Sequence, residues 1–246
     1  MSNNPFKELI RRTLHRLGYQ LVALPNWSLK DDVIEKSGYR LVNWKQGDGK
    51  VDLAAYSQEQ EKGNRAKIDQ VWTNESNLRF IGNWLAKRSG VPQFVVCHGT
   101  RNGFEQRIFH GLFGCRVIGT EISATASQFP MTIQADFHEP PREWDGSVDI
   151  VYSNSLDHAY DPQKALSAWA RSVRDGGWIV LDKASDSDPH GISDLDPFGI
   201  ALPNLLLFIM DALRGIGSIQ AVLDVPEPKT GTSYHRMIVI GISHRA

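Results

Sequence analysis

From Val91 to the C-terminus, short runs dense in Val and Ile alternate with segments whose apolar residues recur at helical spacing. The runs are "QFVVCHG", "CRVIGTEIS", "MTIQADF", "SVDIVYSNS", "WIVLDKA", "SIQAVLDVP" and "RMIVIGIS". Each is short and nearly continuous in apolar residues, the pattern of a strand covered on both faces. Between them the spacing predicts helices from about Asn102 to Phe113, over "DPQKALSAWARSVRDGG" and over "PNLLLFIMDALRGIG", with a weak helix after "CRVIGTEIS". In the second helix Asp161 stands as N-cap, Pro162 takes the first position and a Gly-Gly pair is the stop. Only the turn-rich "EPKTGTS" separates the last two runs, so the last strand is expected to run antiparallel. The pattern predicts a doubly wound α/β fold: a mainly parallel seven-stranded sheet with helices on both faces.

The first ninety residues follow a different pattern and form an N-terminal helical or irregular extension (1–90) ahead of the sheet domain (91–246). Residues 5–18 read as an amphipathic helix, with Phe6, Leu9, Ile10, Leu14 and Leu17 on one face and Lys7, Arg11, Arg12 and Arg16 elsewhere. It either packs on the main domain or makes a peripheral contact with a membrane surface or partner. Residues 19–65 are polar and irregular. Then "WTNESNLRFIGNWLAKRSG" predicts a helix capped by Thr73 or Asn74, with Leu78, Ile81 and Leu85 on one face and Gly90 closing it.

Composition narrows the function classes. The 246 residues are 41% hydrophobic and 22% charged, as in a soluble globular protein, and the formal net charge of −1 gives no global attraction for nucleic acid. The longest apolar candidate, "IALPNLLLFIM", is too short to span a bilayer and contains Pro203. No secretory signal is evident, and Cys97 and Cys115, the only cysteines, sit in strand-like surroundings that suit buried thiols. Cytoplasm is the expected compartment.

In an open parallel sheet, ligands bind beyond the carboxyl ends of the strands. The first such loop, "CHGTRNG", has Gly99 where a positive φ or a close ligand approach is needed, and Gly103 at the start of a helix, where free N–H groups favour a polar or anionic group. The spacing is not that of a dinucleotide fingerprint, and Arg101 stands where the middle glycine would be; a plain tight turn is the alternative. Glu121 ends the second strand, about twenty residues after the glycine loop, where a carboxylate can accept hydrogen bonds from a ribose diol. Asp136 ends the third strand, where it can accept a bond from an exocyclic adenine amine while Phe137 covers the ring. The fourth strand ends in a polar burst: Ser153, Asn154, Ser155, Asp157 and His158.

Together these motifs resemble the class I S-adenosylmethionine-dependent methyltransferases, from about Val91 to the end. "CHGTRNG" keeps the first and last glycines of that family's (D/E)-x-G-x-G-x-G, with Cys97 for the acid and Arg101 for the central glycine. "DIVYSNSLDHAYDP" and "RSVRDGGWIVLDKA" are similar to the family's later motifs, and "GTRNG" to the loop of a bacterial subset. "GNRAKIDQVW", residues 63–72, resembles a segment that precedes the fold in that subset. The resemblance implies S-adenosylmethionine as cofactor, bound by His98, Gly99, Thr100, Asn102, Gly103, Glu121, Ile122, Asp136, Phe137, Asn154 and Ser155. Without an acid at Cys97, Asn154, Ser155 or an N-terminal group must help hold the methionine end, and Arg101 is tolerable with its guanidinium turned outward.

His158 and Asp157 follow the fourth strand where the methyl group should point, so His158 is the candidate base with Asp157 orienting it. A packed or capping histidine is the alternative. The loop from Leu181 to Gly199 carries six acids and histidines, Asp182, Asp186, Asp188, His190, Asp194 and Asp196; its spacing matches no metal loop, so no metal ligands are assigned, and a hydroxyl-rich substrate is an equal use for it. Tryptophans such as Trp27, Trp44 and Trp72 are candidate sugar-stacking faces, or core. The kinship of the "GTRNG" subset implies O-methylation of a cell-surface glycan sugar or another small hydroxylated molecule, with the extension as an acceptor-side cap. No basic stripe interleaved with aromatics points to nucleic acid. The altered first motif leaves a second reading, a catalytically inactive methyltransferase-like binding module.

Overall fold

The computed structural model describes residues 33–36 and 38–244; the helix expected over 5–18 and Trp27 lie outside the described residues. A seven-stranded sheet forms the centre. Its strands, with the two that precede them in the chain counted first, are β3 (Phe94–His98), β4 (Arg116–Glu121), β5 (Thr132–Gln134), β6 (Val148–Ser153), β7 (Val173–Ala184), β9 (Gly217–Asp224) and β10 (His235–Ile242). Their spatial order is β5-β4-β3-β6-β7-β10-β9. The first five pair in parallel, and β10 lies antiparallel to both β7 and β9. The doubly wound sheet with its last strand reversed is therefore as the sequence predicts.

Central strands β3 and β6 are buried at every residue, which is why their sequences show no alternation. Edge strand β9 alternates half-buried and exposed residues along its whole length. Helices cover both faces: α2 (Glu75–Ser89) and α3 (Phe104–Phe113) on one, α4 (Pro162–Ser172) and α5 (Leu202–Ala212) on the other. On α2, Leu78, Ile81 and Leu85 are fully buried in one cluster with Val95, Cys97, Ile150 and Tyr152 of the sheet. Asn74 is the N-cap residue of α2, but its side chain makes no capping bond, while Thr73 donates instead to Asp182 Oδ2 at 3.0 Å.

Three local differences from the sequence pattern have physical causes. The helix expected to run to the Gly-Gly pair stops at Ser172, because Val173 already pairs with Val148 and Arg174 is tied to Asp149 at 2.5 Å. The weak helix after β4 is a single 3-10 turn, Ala124–Gln128, started by the Ser123 side chain. Within the extension, residues 33–66 are more regular than their polar sequence suggests. β1 (Val33–Lys36) and β2 (Tyr39–Val42) form a hairpin, β2 pairs with β8 (Phe198–Ile200) in a second, three-stranded antiparallel sheet, and α1 (Leu53–Ala66) follows with Asp52 as cap.

The burial of α2 generates a test. Ile81→Ala removes a fully buried side chain between α2 and the sheet and should destabilise the protein by roughly 2–5 kcal/mol in urea unfolding. A loss under about 1 kcal/mol would mean that α2 is not part of the cooperative core.

Candidate functional site

The strand order reverses between β3 and β6, where the chain leaves both strands in opposite directions. A crevice of about 1440 Å³, open mouth included, lies at that point over the carboxyl ends of β3, β4, β6 and β7. Its roof comes from the extension. Tyr56 OH donates to the His158 carbonyl at 2.7 Å, Gln60 Nε2 to the Leu195 carbonyl at 2.7 Å, and Asn102 Nδ2 to the Ile68 carbonyl at 3.0 Å.

On the first side of the crevice, the Thr120 carbonyl at the end of β4 accepts from both Gly99 N–H and Thr100 N–H at 3.0 Å, pinning the glycine loop to the neighbouring strand. Gly99 has φ +71°, and a Cβ there would lie 2.5 Å from Ser155 Cβ, so only glycine allows this approach of the loop to the end of β6. Gly103, with φ +72°, is the N-cap residue of α3. Glu105, in the first turn of α3, is 6% exposed and accepts from Thr100 Oγ1 at 2.9 Å and Asn154 Nδ2 at 3.2 Å. Burial raises its pKa above the ordinary carboxylate value.

Glu121 lies 8% exposed at the end of β4, with Oε1 accepting from Ser123 N–H at 2.9 Å. Burial pushes its pKa up to about 7, against the lowering effect of that bond and of His158 and Arg101. Asp136 is held differently. Burial raises its pKa, but hydrogen bonds from His138 outweigh it, helped by Tyr160, and leave the carboxyl below its usual range. Oδ1 takes the His138 N–H and ring Nδ1–H at 2.9 and 2.6 Å, and Oδ2 takes the Tyr160 hydroxyl at 2.9 Å. The tautomer is fixed because His138 Nε2 accepts from Asp161 N–H. A carboxylate has about four acceptor sites, so Asp136 keeps one for a ligand.

The second side of the crevice carries His158. Its Nδ1 faces the Leu195 carbonyl at 2.9 Å and Gln60 Oε1 at 3.0 Å. Both are acceptors, so Nδ1 carries a proton, and in the neutral form of the ring the lone pair is on Nε2. Nε2 lies 3.4 Å from Asp196 Oδ1. The ring is thus oriented by Gln60 and the Leu195 carbonyl, where the sequence suggested Asp157. Asp157 Oδ1 is buried without a hydrogen-bond partner, and burial raises that carboxyl's pKa, with Asp196 adding to the effect and His158 opposing it.

Most acids of the 182–196 loop already have partners. Asp182 accepts from His235, from Tyr152 at 2.8 Å and from Thr73 at 3.0 Å; Asp186 pairs with Lys229, and Asp188 with Lys183 at 3.2 Å and Tyr234 at 2.5 Å.

Of the residues expected to bind a cofactor, Gly99, Asn102, Glu121, Ile122, Asp136, Phe137, Asn154 and Ser155 line one crevice, and so do Asp157 and His158. His98, Thr100 and Gly103 do not. His98 ends β3 with its side chain turned into the core, 2% exposed, stacked on Trp169 at 5.1 Å and bonded to Thr120 Oγ1 at 2.9 Å; burial lowers its pKa to about 3. Thr100 is spent on Glu105 and Gln106. Arg101 is not turned away from the crevice as expected: it lines it, with Nη1 3.4 Å from the Gln70 carbonyl and the guanidinium 5.6 Å from the Trp72 ring. Asp196 of the acidic loop lines the crevice too, and so do Glu105, Gln60 and Asn64, which were not singled out from the sequence. Only Glu105 left a trace there, as an acid in the first turn of the helix after the glycine loop.

Residues 96–181 match the model of a family described as a methyltransferase domain. The stretch begins in β3 and ends within β7, so it holds the carboxyl ends of β3, β4 and β6. The fold is that of a class I methyltransferase. Burkholderia thailandensis 1,6-didemethyltoxoflavin-N1-methyltransferase, solved with 1,6-didemethyltoxoflavin and S-adenosylhomocysteine, is similar in structure with a TM-score of 0.59 and 15% identity, over 86% of this chain and 99% of that one. Geranyl diphosphate C-methyltransferase from Streptomyces coelicolor A3(2), solved with Mg2+, geranyl diphosphate and S-adenosylhomocysteine, is similar at a TM-score of 0.53 and 14% identity, over 77% of this chain and 98% of that one. At these identities the likeness establishes the methyltransferase fold alone. No curated protein matches the sequence.

In this methyltransferase fold Glu121 yields a prediction about stability. Its folded pKa of about 7 lies above the 4.5 of a free glutamate, so the folded state holds a proton that the unfolded state releases between those pH values. Stability should therefore fall as pH rises from about 4.5 to 7, by on the order of 2–3 kcal/mol from this group. Glu121→Gln, which can still accept from Ser123 N–H, should remove that part of the slope and raise the ligand-free melting temperature at pH 8. An unchanged melting temperature at pH 8 would show that Glu121 ionises without cost.

Proposed function

We propose that this chain is an S-adenosylmethionine-dependent methyltransferase acting on an oxygen of a small hydroxylated molecule, with a sugar of a cell-surface glycan as the favoured acceptor. The observation that carries the reading is Glu121: a buried carboxylate at the end of β4, beside a loop whose Gly99 leaves no room for a side chain, in the crevice at the strand-order reversal. When bound, S-adenosylmethionine supplies a methyl group on a sulfonium. Glu121 would accept hydrogen bonds from its ribose diol, Asp136 one from its adenine amine, and Phe137 would cover the ring. Asn102, Ile122 and Ser155 line the same side, with Asn154 positioning Glu105. Glu105 and Arg101 supply a carboxylate and a guanidinium for the ammonium and carboxylate of the methionine end, in place of the acid absent at Cys97.

His158 faces the acceptor end, where the Nε2 lone pair of its neutral form can act on a hydroxyl proton, and the Asp157 carboxyl lies beside it. The two similar structures name an N- and a C-methyltransferase, so fold gives no acceptor atom; the oxygen assignment is supported by this basic nitrogen and by the wall of acids, which suits hydroxyl donors and repels a nucleic-acid backbone. The extension, residues 1–90, acts as the acceptor-side cap of the cofactor domain at 91–246, supported by the roof bonds from Tyr56 and Gln60. Both cysteines are free, which fits the cytoplasm, and no helix among the described residues is long and apolar enough to cross a membrane.

Calorimetry with S-adenosylmethionine tests the cofactor. The wild type should bind, and Glu121→Ala should bind roughly 10- to 100-fold more weakly, the value of one or two charged hydrogen bonds. Absence of binding to the wild type would leave the inactive binding module as the reading. Release of S-adenosylhomocysteine over a panel of nucleotide sugars and glycans tests the acceptor, with His158→Gln expected to lower kcat about 100-fold or more. Turnover on amines or carboxylates alone would overturn the oxygen assignment.

A further inference from the structure

Three groups at the acceptor end remain with charge or lone pairs that no protein donor satisfies. His158 is oriented by its Nδ1–H bond to the Leu195 carbonyl, with Gln60 beside it, which leaves Nε2 as a free donor of an electron pair. Asp196 Oδ1 stands 3.4 Å from Nε2, longer than the 2.7–2.9 Å of a charge-assisted hydrogen bond. Asp157 Oδ1 is buried with no partner at all. One ligand atom from each of Asp157, His158 and Asp196 lies within 4.8 Å of the other two.

These features together fit a cation better than a proton. Two ligands bound at about 2.1 Å to one metal lie roughly 3.0–3.4 Å apart at octahedral or tetrahedral angles, the separation seen between Nε2 and Asp196 Oδ1. A metal-binding imidazole characteristically donates its other N–H to a backbone carbonyl, as Nδ1 does here. The remaining acids of the loop do not compete, since Asp182, Asp186 and Asp188 are held by His235, Lys229 and Lys183.

We propose that Asp157, His158 and Asp196 bind one divalent cation at the acceptor end of the crevice, through two carboxylate oxygens and one imidazole nitrogen. One nitrogen with two hard oxygens suits Mn2+ among the available ions, with Mg2+ and Zn2+ as competitors. Three protein ligands leave coordination positions open, and an acceptor's hydroxyl oxygen can take one of them. A hydroxyl so bound loses its proton to water more readily, so with the ion present His158 acts on the acceptor through it, and the direct base role given above belongs to the ion-free site. This inference rests on the methyltransferase reading for its catalytic meaning, but not for the binding itself.

The test is Mn2+ titration of the full, metal-stripped chain, with free Mn2+ followed by electron paramagnetic resonance. The wild type should bind one ion per chain, while Asp157→Asn and Asp196→Asn should each bind at least about ten-fold more weakly. Asp186→Asn, altered in the same loop but paired with Lys229, should bind as the wild type does. Thermal melts of each variant establish that a loss of ion is not a loss of fold. Calorimetry with S-adenosylmethionine on the same samples separates the two ideas. Cofactor binding without Mn2+ binding overturns the cation site and leaves the methyltransferase reading intact; Mn2+ binding without cofactor binding does the reverse. Equal Mn2+ affinity in the wild type and Asp196→Asn also overturns the site.

Discussion

The crevice depends on the burial of negative charge where sheet strands end. Glu105, Glu121 and Asp157 all line it, and burial raises the pKa of each. Removing a carboxylate from water costs several kcal/mol unless a donor or a cation compensates. For Asp136 and Asp182 the protein provides that compensation internally, through His138 and Tyr160 for one and His235, Tyr152 and Thr73 for the other. For the other three it is smaller: Glu105 accepts from Thr100 and Asn154, Glu121 from Ser123 N–H with Asn64 beside it, and Asp157 Oδ1 from no group. The first pair hold the site together; the second set is left poised for ligands carrying donors or positive charge.

The sheet explains why these acids converge. Strands β4, β3, β6 and β7 run parallel, so all their carboxyl ends face one way, and the reversal of order beside β3 keeps any connection from crossing the gap. The roof closes that gap with polar contacts. Tyr56 and Gln60, both on α1, bond to His158 and Leu195, more than ninety residues away in sequence. A change in the α1 position would therefore move the His158 ring and its Nε2 lone pair together with the wall of the crevice, which couples access to the site with its chemistry.

The main sheet was legible because its central strands are buried on both faces and show continuous apolar runs. The hairpin of β1 and β2 was not, since its residues are mostly exposed or half-buried and its partner β8 lies more than 150 residues further on. Within the site, residues at a strand end or a few positions beyond it, such as Glu121, Asp136 and His158, could be placed by counting. Those fixed by tertiary contacts could not. Nothing in the local sequence sets Gln60 against His158 or brings Asp196 to its Nε2. His98 shows the opposite failure. It sits in the loop motif, yet it is still the last residue of β3, so its side chain follows the strand and enters the core against Trp169.

The altered first motif acquires a physical explanation from α3. A carboxylate at position 97 would lie inside a fully buried strand, where Cys97, with its thiol pKa raised well above normal by burial, stays neutral and packs with Val95, Phe109 and Tyr152. Eight residues later, Glu105 brings a carboxylate back to the crevice from the first turn of a helix, where the N-terminal dipole favours it and Thr100 and Asn154 hold it. Arg101, in the place of the central glycine, extends towards the roof at Gln70 and Trp72, which takes its bulk away from the backbone that a ligand must approach. The loop has thus lost an acid on the strand and a glycine in the turn, and it has gained an acid on the helix and a base beneath the roof. Both charges face the same space, so the departures from the family pattern are coupled, and reverting Arg101 alone would leave Glu105 with less cationic charge near it than before.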